Sequence, residues 1–345
     1  MLPSIHTIVE LRGSPRRCGR DYGNRHAELL RVFLKTIIKP DARRLQYARR
    51  CWKSLSQWER PIIEFVRGMA EGSGLSLDEI TSIQLHEEYL HVPHCTAVGA
   101  TGAATRDGSA VIAQSWDGNP TLYASIALLR IHTNTAPATF TYSLPGLWAS
   151  AGINEHGLAV GWTSSGMRPM VPPREGVPTF TLLAGILGCR DCAQAVTLVQ
   201  RTRNAGSFIF FLADAGGAIC ALEGIPGRIE AVRDRELITR ANHYQCAGSR
   251  HAAKQKLPRV TLKWNSQPRA ARIAALAEQS RGHIDGRAME AIYRDHEPQQ
   301  GLGICLHAAP GPYLTLDSFY AVPAKREFWI ARGYVCRHRF ARYRV

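Results

Sequence analysis

The chain has 345 residues, 45% of them hydrophobic, enough for a sizeable core in one large or two medium domains. No apolar run reaches the ~20 residues of a membrane span, and the opening MLPSIHTIVELRGSPRRC lacks the apolar block and cleavage site of a secretory signal, so no membrane and a cytoplasmic location are expected. The net charge of +15 raises nucleic acid or an anionic ligand as a partner, but the densest runs, RRLQYARR (43–50) and RHRFARYR (337–344), join no nucleic-acid motif.

These runs read as a solvated helix face and a frayed tail, and no nucleic acid is expected. The nine cysteines are odd in number and scattered, a poor disulfide framework, so most are expected to be reduced and buried.

A short strand is predicted at 6–11, then a helix over 16–38 with Tyr22, Leu29, Leu30, Phe33, Leu34, Ile37 and Ile38 at helical spacing, stopped by Pro40. Two more helices are predicted over 58–70 and 77–90, with Ser76 as N-cap and Glu79 completing a capping box. At Cys95 the period changes to that of strands, at 97–101, 110–115, 124–132, 139–142 and 158–163; RDGS (106–109) marks a hairpin. A helical stretch follows at 178–201, then strands at 207–213, 218–223 and 230–232. Helices at 268–279 and 287–295 precede strands at 303–308, 316–322 and 327–331. This order predicts antiparallel sheets packed between helical layers, in one domain.

Several motifs carry no chemistry. HEEYLH (86–91) spaces its histidines five apart, where zinc ligation from one helix face needs four. CRDC (189–192) is a lone Cys-x-x-C in a helical pattern, GWTSSG (161–166) lacks the spacing of a serine nucleophile elbow, and no metal site is expected.

Cys95 stands where a polar helical segment, broken by Pro93, gives way to a strand. Self-cleavage there would make Cys95 an N-terminus whose α-amino group, with an ordinary pKa of about 7.7–8.0, takes the thiol proton itself. A packed, inert thiol is the competing reading, and the residues alone leave both open.

CTAVGATGAATRDGSAVIAQSWD (95–117) resembles the nucleophile signature of the acyl-coenzyme A:6-aminopenicillanic-acid acyltransferases, also called isopenicillin N acyltransferases: a Cys-Thr, a strand, a Gly-rich turn and a Trp-Asp. GSPRRCGRDYG (13–23), GMAEGSGLSLDEI (68–80), INEHGLAVGWTSS (153–165), FLADAGGAICALE (211–223) and ANHY (241–244) are similar to further family segments, in the family's order. The resemblance implies an α+β fold of the N-terminal nucleophile hydrolase type, a four-layer α/β/β/α sandwich of antiparallel sheets. It also implies a precursor cut between His94 and Cys95 into an α chain (1–94) and a catalytic β chain (95–345) that stay associated as one domain.

Carried over residue by residue, Cys95 is the nucleophile, Asp117 orients the α-amino group, and Asn242 donates to the oxyanion, a contact worth about 2.7–4 kcal/mol in the transition state. Trp116, Thr163, Arg240 and Arg269 are candidates to face substrate. Two departures stand out: His94 replaces the family's usual glycine, and Gln114 stands where related bile-salt and penicillin V hydrolases carry arginine. The expected activity is cleavage or transfer of the acyl group of a small amide through a Cys95 thioester, with no cofactor and acyl-coenzyme A at most as donor. The surplus positive charge suits an anionic substrate. Two rival readings are an uncut, inactive relative that acts as a binding protein and a basic nucleic-acid-binding protein in which Cys95 is structural.

Overall fold

The computed structural model describes residues 7–89, 95–165, 172–257, 259–261, 265–296, 302–307 and 313–345. His6, Leu90, His91, His94 and Ala308 of the expectations above lie outside them. Strand β1 (Thr7–Gly13) leads into helix α1 (Pro15–Phe33), started by Ser14, whose hydroxyl accepts from the Arg17 N–H, and by Pro15 with its fixed φ. Helices α2 (Ala42–Leu55), α3 (Arg60–Ser73), α4 (Leu77–Gln84) and α5 (His86–Tyr89) follow. The Ser76–Glu79 capping box forms as expected. The helix expected over 77–90 breaks at Leu85, whose backbone leaves the helical region.

Next come β2 (Thr96–Gly102), β3 (Gly108–Gly118), β4 (Ala127–Thr133), β5 (Thr139–Ser143), β6 (Ala151–Asn154) and β7 (Ala159–Thr163). The helical stretch expected at 178–201 is two helices, α6 (Thr179–Ile186) and α7 (Cys192–Arg201). Asp191 caps the second by accepting from Gln194 N at 2.8 Å, so CRDC marks a helix start. The chain continues through β8 (Phe208–Ala213), β9 (Ile219–Ile225), β10 (Arg228–Val232), β11 (Leu237–Arg240), α8 (Ala247–Ala252), α9 (Ser266–Gln279), α10 (Gly286–Tyr293), β12 (Leu314–Val322), β13 (Glu327–Arg332) and β14 (Ala341–Arg344).

Two of the expected segments differ. The strand expected at 303–308 is absent over its described residues, which form bends and irregular backbone. The reason is chemical: Gly303 and Ile304 turn their carbonyls to the Arg269 side chain instead of to a neighbouring strand. The tail expected to fray is an edge strand, because β14 pairs with β13 and its Arg342 and Arg344 converge on Glu327.

The strands form an eight-stranded sheet, β1-β4-β5-β6-β7-β8-β9-β10, and a six-stranded sheet, β11-β2-β3-β12-β13-β14. Pairing is antiparallel except for β1 beside β4. The sheets face one another through β2 and β3 against β7 and β8, enclosing Trp116, Phe140, Phe211 and Phe328. Helices α1 and α7 cover the larger sheet, and α9 and α10 cover the smaller over a second core around Ile273, Met289 and Tyr293. This is an α+β fold of two sheets flanked by helices, the layering the elements predict. No helix among the described residues is long and apolar enough to cross a membrane.

The glycines of the two N-terminal motifs lie at the crossing of α1 and α3. A Cβ on Gly19 would stand 2.0 Å from Phe65 O, and one on Gly68 would stand 2.0 Å from Arg16 O. Only hydrogen in place of a side chain allows this approach of two helix backbones.

Candidate active site

Cys95 immediately precedes β2, and the register places Asp117 beside it. Thr96 pairs with Ser115 across β2 and β3, and Asp117 pairs with Thr315 across β3 and β12. Three neighbouring strands of one sheet therefore bring Cys95, Ser115, Asp117 and Thr315 together, all fully buried. The RDGS hairpin, with Gly108 at φ +78°, closes the opposite end of β2 and β3, as expected.

Asp117 Oδ2 accepts from Arg269 Nη2 at 2.5 Å and from Ser115 Oγ at 3.1 Å; its Oδ1 accepts from Thr315 Oγ1 at 2.5 Å. Thr96 Oγ1 lies 2.9 Å from Ser115 Oγ and extends the chain of hydroxyls away from the carboxylate. Burial raises the Asp117 carboxyl above its ordinary pKa, while Arg269, Thr315 and Ser115 all oppose that shift. Arg269 is 0% exposed; its Nε and Nη2 donate to the carbonyls of Gly303 and Ile304, each at 3.0 Å, and its Nη1 has no hydrogen-bond partner among the described residues.

Asn242 occupies the other side of Cys95. Its Oδ1 accepts from the Cys95 backbone N–H at 2.9 Å, and its Nδ2 donates to Ser164 O at 3.0 Å. An amide nitrogen carries two hydrogens, so one donor remains for another acceptor. Asn242 N donates to Ser266 Oγ at 2.8 Å, and the same hydroxyl lies 2.7 Å from His243 Nδ1. Ser266 and Arg269 stand three apart at the start of α9, on one helix face, so a single turn steadies both sides of Cys95. Burial, then Arg240 and Arg250, pull the pKa of His243 down to about 4, which leaves a neutral ring.

The Cys95 thiol is pushed up to about 12, first by burial and next by the charge of Asp117, with the Asp117 backbone N–H and Arg269 acting the other way. At neutral pH it holds its proton in the uncut chain. A second buried carboxyl, Glu87, accepts from Ser164 Oγ at 2.8 Å and is raised well above its ordinary pKa by burial.

The other sequence candidates hold the scaffold. Trp116 is buried against Tyr142 and Trp162, with ring centroids 5.0 and 6.4 Å away. Thr163 Oγ1 donates to Ala241 O at 2.9 Å, tying β7 to the segment that carries Asn242. Arg240 forms a buried ion pair with Glu223 at 2.9 Å. Gln114 exchanges hydrogen bonds with the backbone of Trp162 in the facing sheet.

Sequence reasoning missed Ser115, Thr315, Ser164, Ser266 and Glu87. Ser115 was legible, since it lies two before Asp117 and strand period puts both on one face; Thr315 depends on a register that no local signal reveals.

The chain finds no match among the curated proteins. Among solved structures it is similar to the Caenorhabditis elegans ortholog of N-acylethanolamine-hydrolyzing acid amidase, at 11% identity over 67% of this chain and 93% of that one, with a TM-score of 0.46. It is also similar to penicillin V acylase from Agrobacterium tumefaciens, at 12% identity over 68% and 82% (TM-score 0.48). A third is a mutant of conjugated bile acid hydrolase from Clostridium perfringens, at 10% identity over 73% and 97% (TM-score 0.46). A family model matches residues 104–329, a stretch that begins after Cys95 and takes in Asp117, Asn242, Arg269 and Thr315. That match spans more than half of the sequence, and the chain belongs to the family described as acyl-coenzyme A:6-aminopenicillanic acid acyl-transferase.

Proposed function

We propose that this chain is a self-processing cysteine amidohydrolase or acyltransferase in which Cys95 attacks first its own preceding carbonyl and then the carbonyl of a small amide. The observation that carries this reading is the setting of Cys95, with Asn242 on its backbone nitrogen and the Asp117–Arg269 pair acting on its thiol.

In the first step the Cys95 sulfur bonds to the carbonyl carbon of residue 94, the carbon–nitrogen bond breaks, and the thiol proton ends on the Cys95 nitrogen. Water then hydrolyses the thioester. Asn242 Oδ1, already accepting from that nitrogen, holds it as it becomes an amine. The freed amine is the base that the buried thiol lacks in the uncut chain. In the second step it takes the thiol proton, sulfur attacks the substrate, and the proton passes to the departing amine of the substrate. Water, or a second amine, resolves the thioester, giving hydrolysis or transfer. The second Nδ2 hydrogen of Asn242 is the donor offered to the oxyanion.

Segment 1–94 supplies β1, paired along seven positions with β4, and α1, interlocked with α3 and packed on the larger sheet. These contacts support continued association of the two chains after cleavage. Acyl-coenzyme A serves at most as donor, and the charge of +15 favours an amide that carries a carboxylate.

Intact mass tests the reading. Freshly purified protein is expected as two polypeptides, one ending at His94 and one beginning at Cys95, while Cys95→Ala stays whole and inactive. A single full-length mass in both would remove the N-terminal amine from the mechanism and favour an uncut binding protein.

A further inference from the structure

His296 follows α10, Cys305 and His307 lie in the segment before β12, and Cys336 follows β13; the fold gathers all four. One donor atom from each lies within 4.8 Å of all the others, with Cys305 buried and the other three half-buried. His307 Nε2 is 3.1 Å from His296 Nε2, 3.3 Å from Cys336 Sγ and 3.9 Å from Cys305 Sγ.

A neutral imidazole nitrogen offers either one hydrogen or one lone pair, so it can satisfy one of these three neighbours by hydrogen bonding. A cation at their centre satisfies all of them at once. Tetrahedral zinc with Zn–N of about 2.0–2.1 Å and Zn–S of about 2.3 Å has ligand-to-ligand edges of about 3.3 Å between nitrogens and about 3.6 Å between nitrogen and sulfur. The three separations from His307 Nε2 are within a few tenths of an ångström of those edges. Two thiolates and two imidazoles are a donor set that selects zinc over magnesium or calcium.

We propose that His296, Cys305, His307 and Cys336 form a closed, four-coordinate structural site for zinc. Binding releases the two thiol protons to solvent and leaves no open position, so the metal stabilises the fold and takes no part in catalysis.

Its position gives it a purpose. Residues 303–307 serve two centres in turn: Gly303 and Ile304 accept from Arg269, and Leu306 N donates to Thr315 Oγ1, which in turn donates to Asp117. Cys305 and His307, interleaved with these, face the metal. This stretch forms no strand of its own over its described residues and meets β12 through Thr315 N, which donates to Leu306 O at 2.9 Å; a metal clamp supplies the rigidity that full sheet pairing would otherwise give to the support of Asp117 and Arg269. His307 also stacks on Tyr334, with centroids 4.0 Å apart and planes 2° apart, which fixes its ring.

Metal analysis of the full-length protein, purified without chelator or metal-affinity resin, is expected to find one zinc per chain. The Cys305→Ser/Cys336→Ser variant is expected to lose it. Should that variant not fold, cobalt(II) exchanged into the wild type is expected to show a sulfur-to-cobalt charge-transfer band with the intense visible bands of tetrahedral cobalt, and His296→Ala to weaken them. Protein free of zinc that also refuses cobalt would overturn the proposal, as would a Cys305–Cys336 disulfide found by peptide mapping, or zinc retained by the double variant. None of these readouts depends on activity, so the site stands or falls separately from the role of Cys95.

Discussion

Two buried arginines, Arg240 opposite Ala97 of β2 and Arg269 beside Asp117, were equal candidates in the sequence, yet they do different things. Arg240 pairs with Glu223, whose carboxylate also accepts the backbone N–H groups of Gln245 at 3.0 Å and Cys246 at 2.9 Å. This pair secures the turn that follows Asn242. Arg269 pairs with Asp117, whose remaining partners are the hydroxyls of Ser115 and Thr315, and both members of the pair act on the thiol. A buried charge held by fixed backbone donors is structural. One held by a guanidinium and two hydroxyls, next to the proposed nucleophile, would be free to respond to a change of charge on that thiol and its nitrogen.

Replacing each arginine by methionine tests that difference and gives the largest expected effects. Arg269→Met leaves Asp117 buried with no cation and Gly303 and Ile304 without a donor; the expected loss is about 3–5 kcal/mol of stability, with self-cleavage abolished. Arg240→Met leaves Glu223 its backbone donors; the expected loss is about 1–3 kcal/mol, with cleavage retained. Urea unfolding beside intact mass reads both quantities. Equal loss of cleavage in the two variants would erase the distinction.

The same contrast explains what could be read in advance. The segments that carry Cys95, Asp117 and Asn242, and those that carry the glycines at 19, 23, 68 and 72, were legible as short family-like motifs; that the three side chains meet and that the glycines lie at a helix crossing came from the structure. The hydrophobic periods placed most helices and strands, since burial on one face dictates them. The short strands β6 and β11 have only four residues each, too few for a period to register. His296, Cys305, His307 and Cys336 escaped because they come from three separate stretches whose meeting depends on the α10, β12 and β13 packing. The expectation of no metal site rested on the spacings of HEEYLH and CRDC, local signals that say nothing of residues brought together only by the fold.

A smaller effect separates Glu88 from Asp117, two fully buried carboxyls with opposite provision. Asp117 has a cation; Glu88 Oε1 accepts from Thr179 N and Oγ1, but Oε2 has no partner among the described residues. Burial raises the pKa of Glu88 to about 7, with the Thr179 contacts opposing. The folded state therefore binds more protons than the unfolded state between the ordinary carboxyl range and about 7, and stability falls as pH rises through that window. Above it the penalty is complete, about 3 kcal/mol for a shift of this size. Glu88→Gln keeps an oxygen for Thr179 and carries no charge. Its unfolding midpoint is expected to match the wild type below the ordinary carboxyl range, near pH 4, and to exceed it at pH 8; equal midpoints at both would mean that Glu88 meets water or a cation.

The smallest effect concerns the α1–α3 crossing, where two principles give opposite signs. In an exposed helix interior, glycine to alanine stabilises by about 1 kcal/mol. At Gly68 the added methyl would meet Arg16 O at 2.0 Å and Arg20 N at 2.9 Å, and backbone atoms cannot rotate aside as a side chain can. The helices must separate, and overpacking of this kind costs about 1–3 kcal/mol. Sterics outweigh propensity, so Gly68→Ala is expected to lower the unfolding midpoint modestly. The displaced helix α1 lies against β1 and β4 of the larger sheet, far along the chain from Cys95 and on the opposite layer from α9. Self-cleavage should therefore proceed in the folded fraction, which separates damage to the scaffold from damage to the site. A Gly68→Ala chain that folds more stably than the wild type would mean that the helices cross less closely than these distances require.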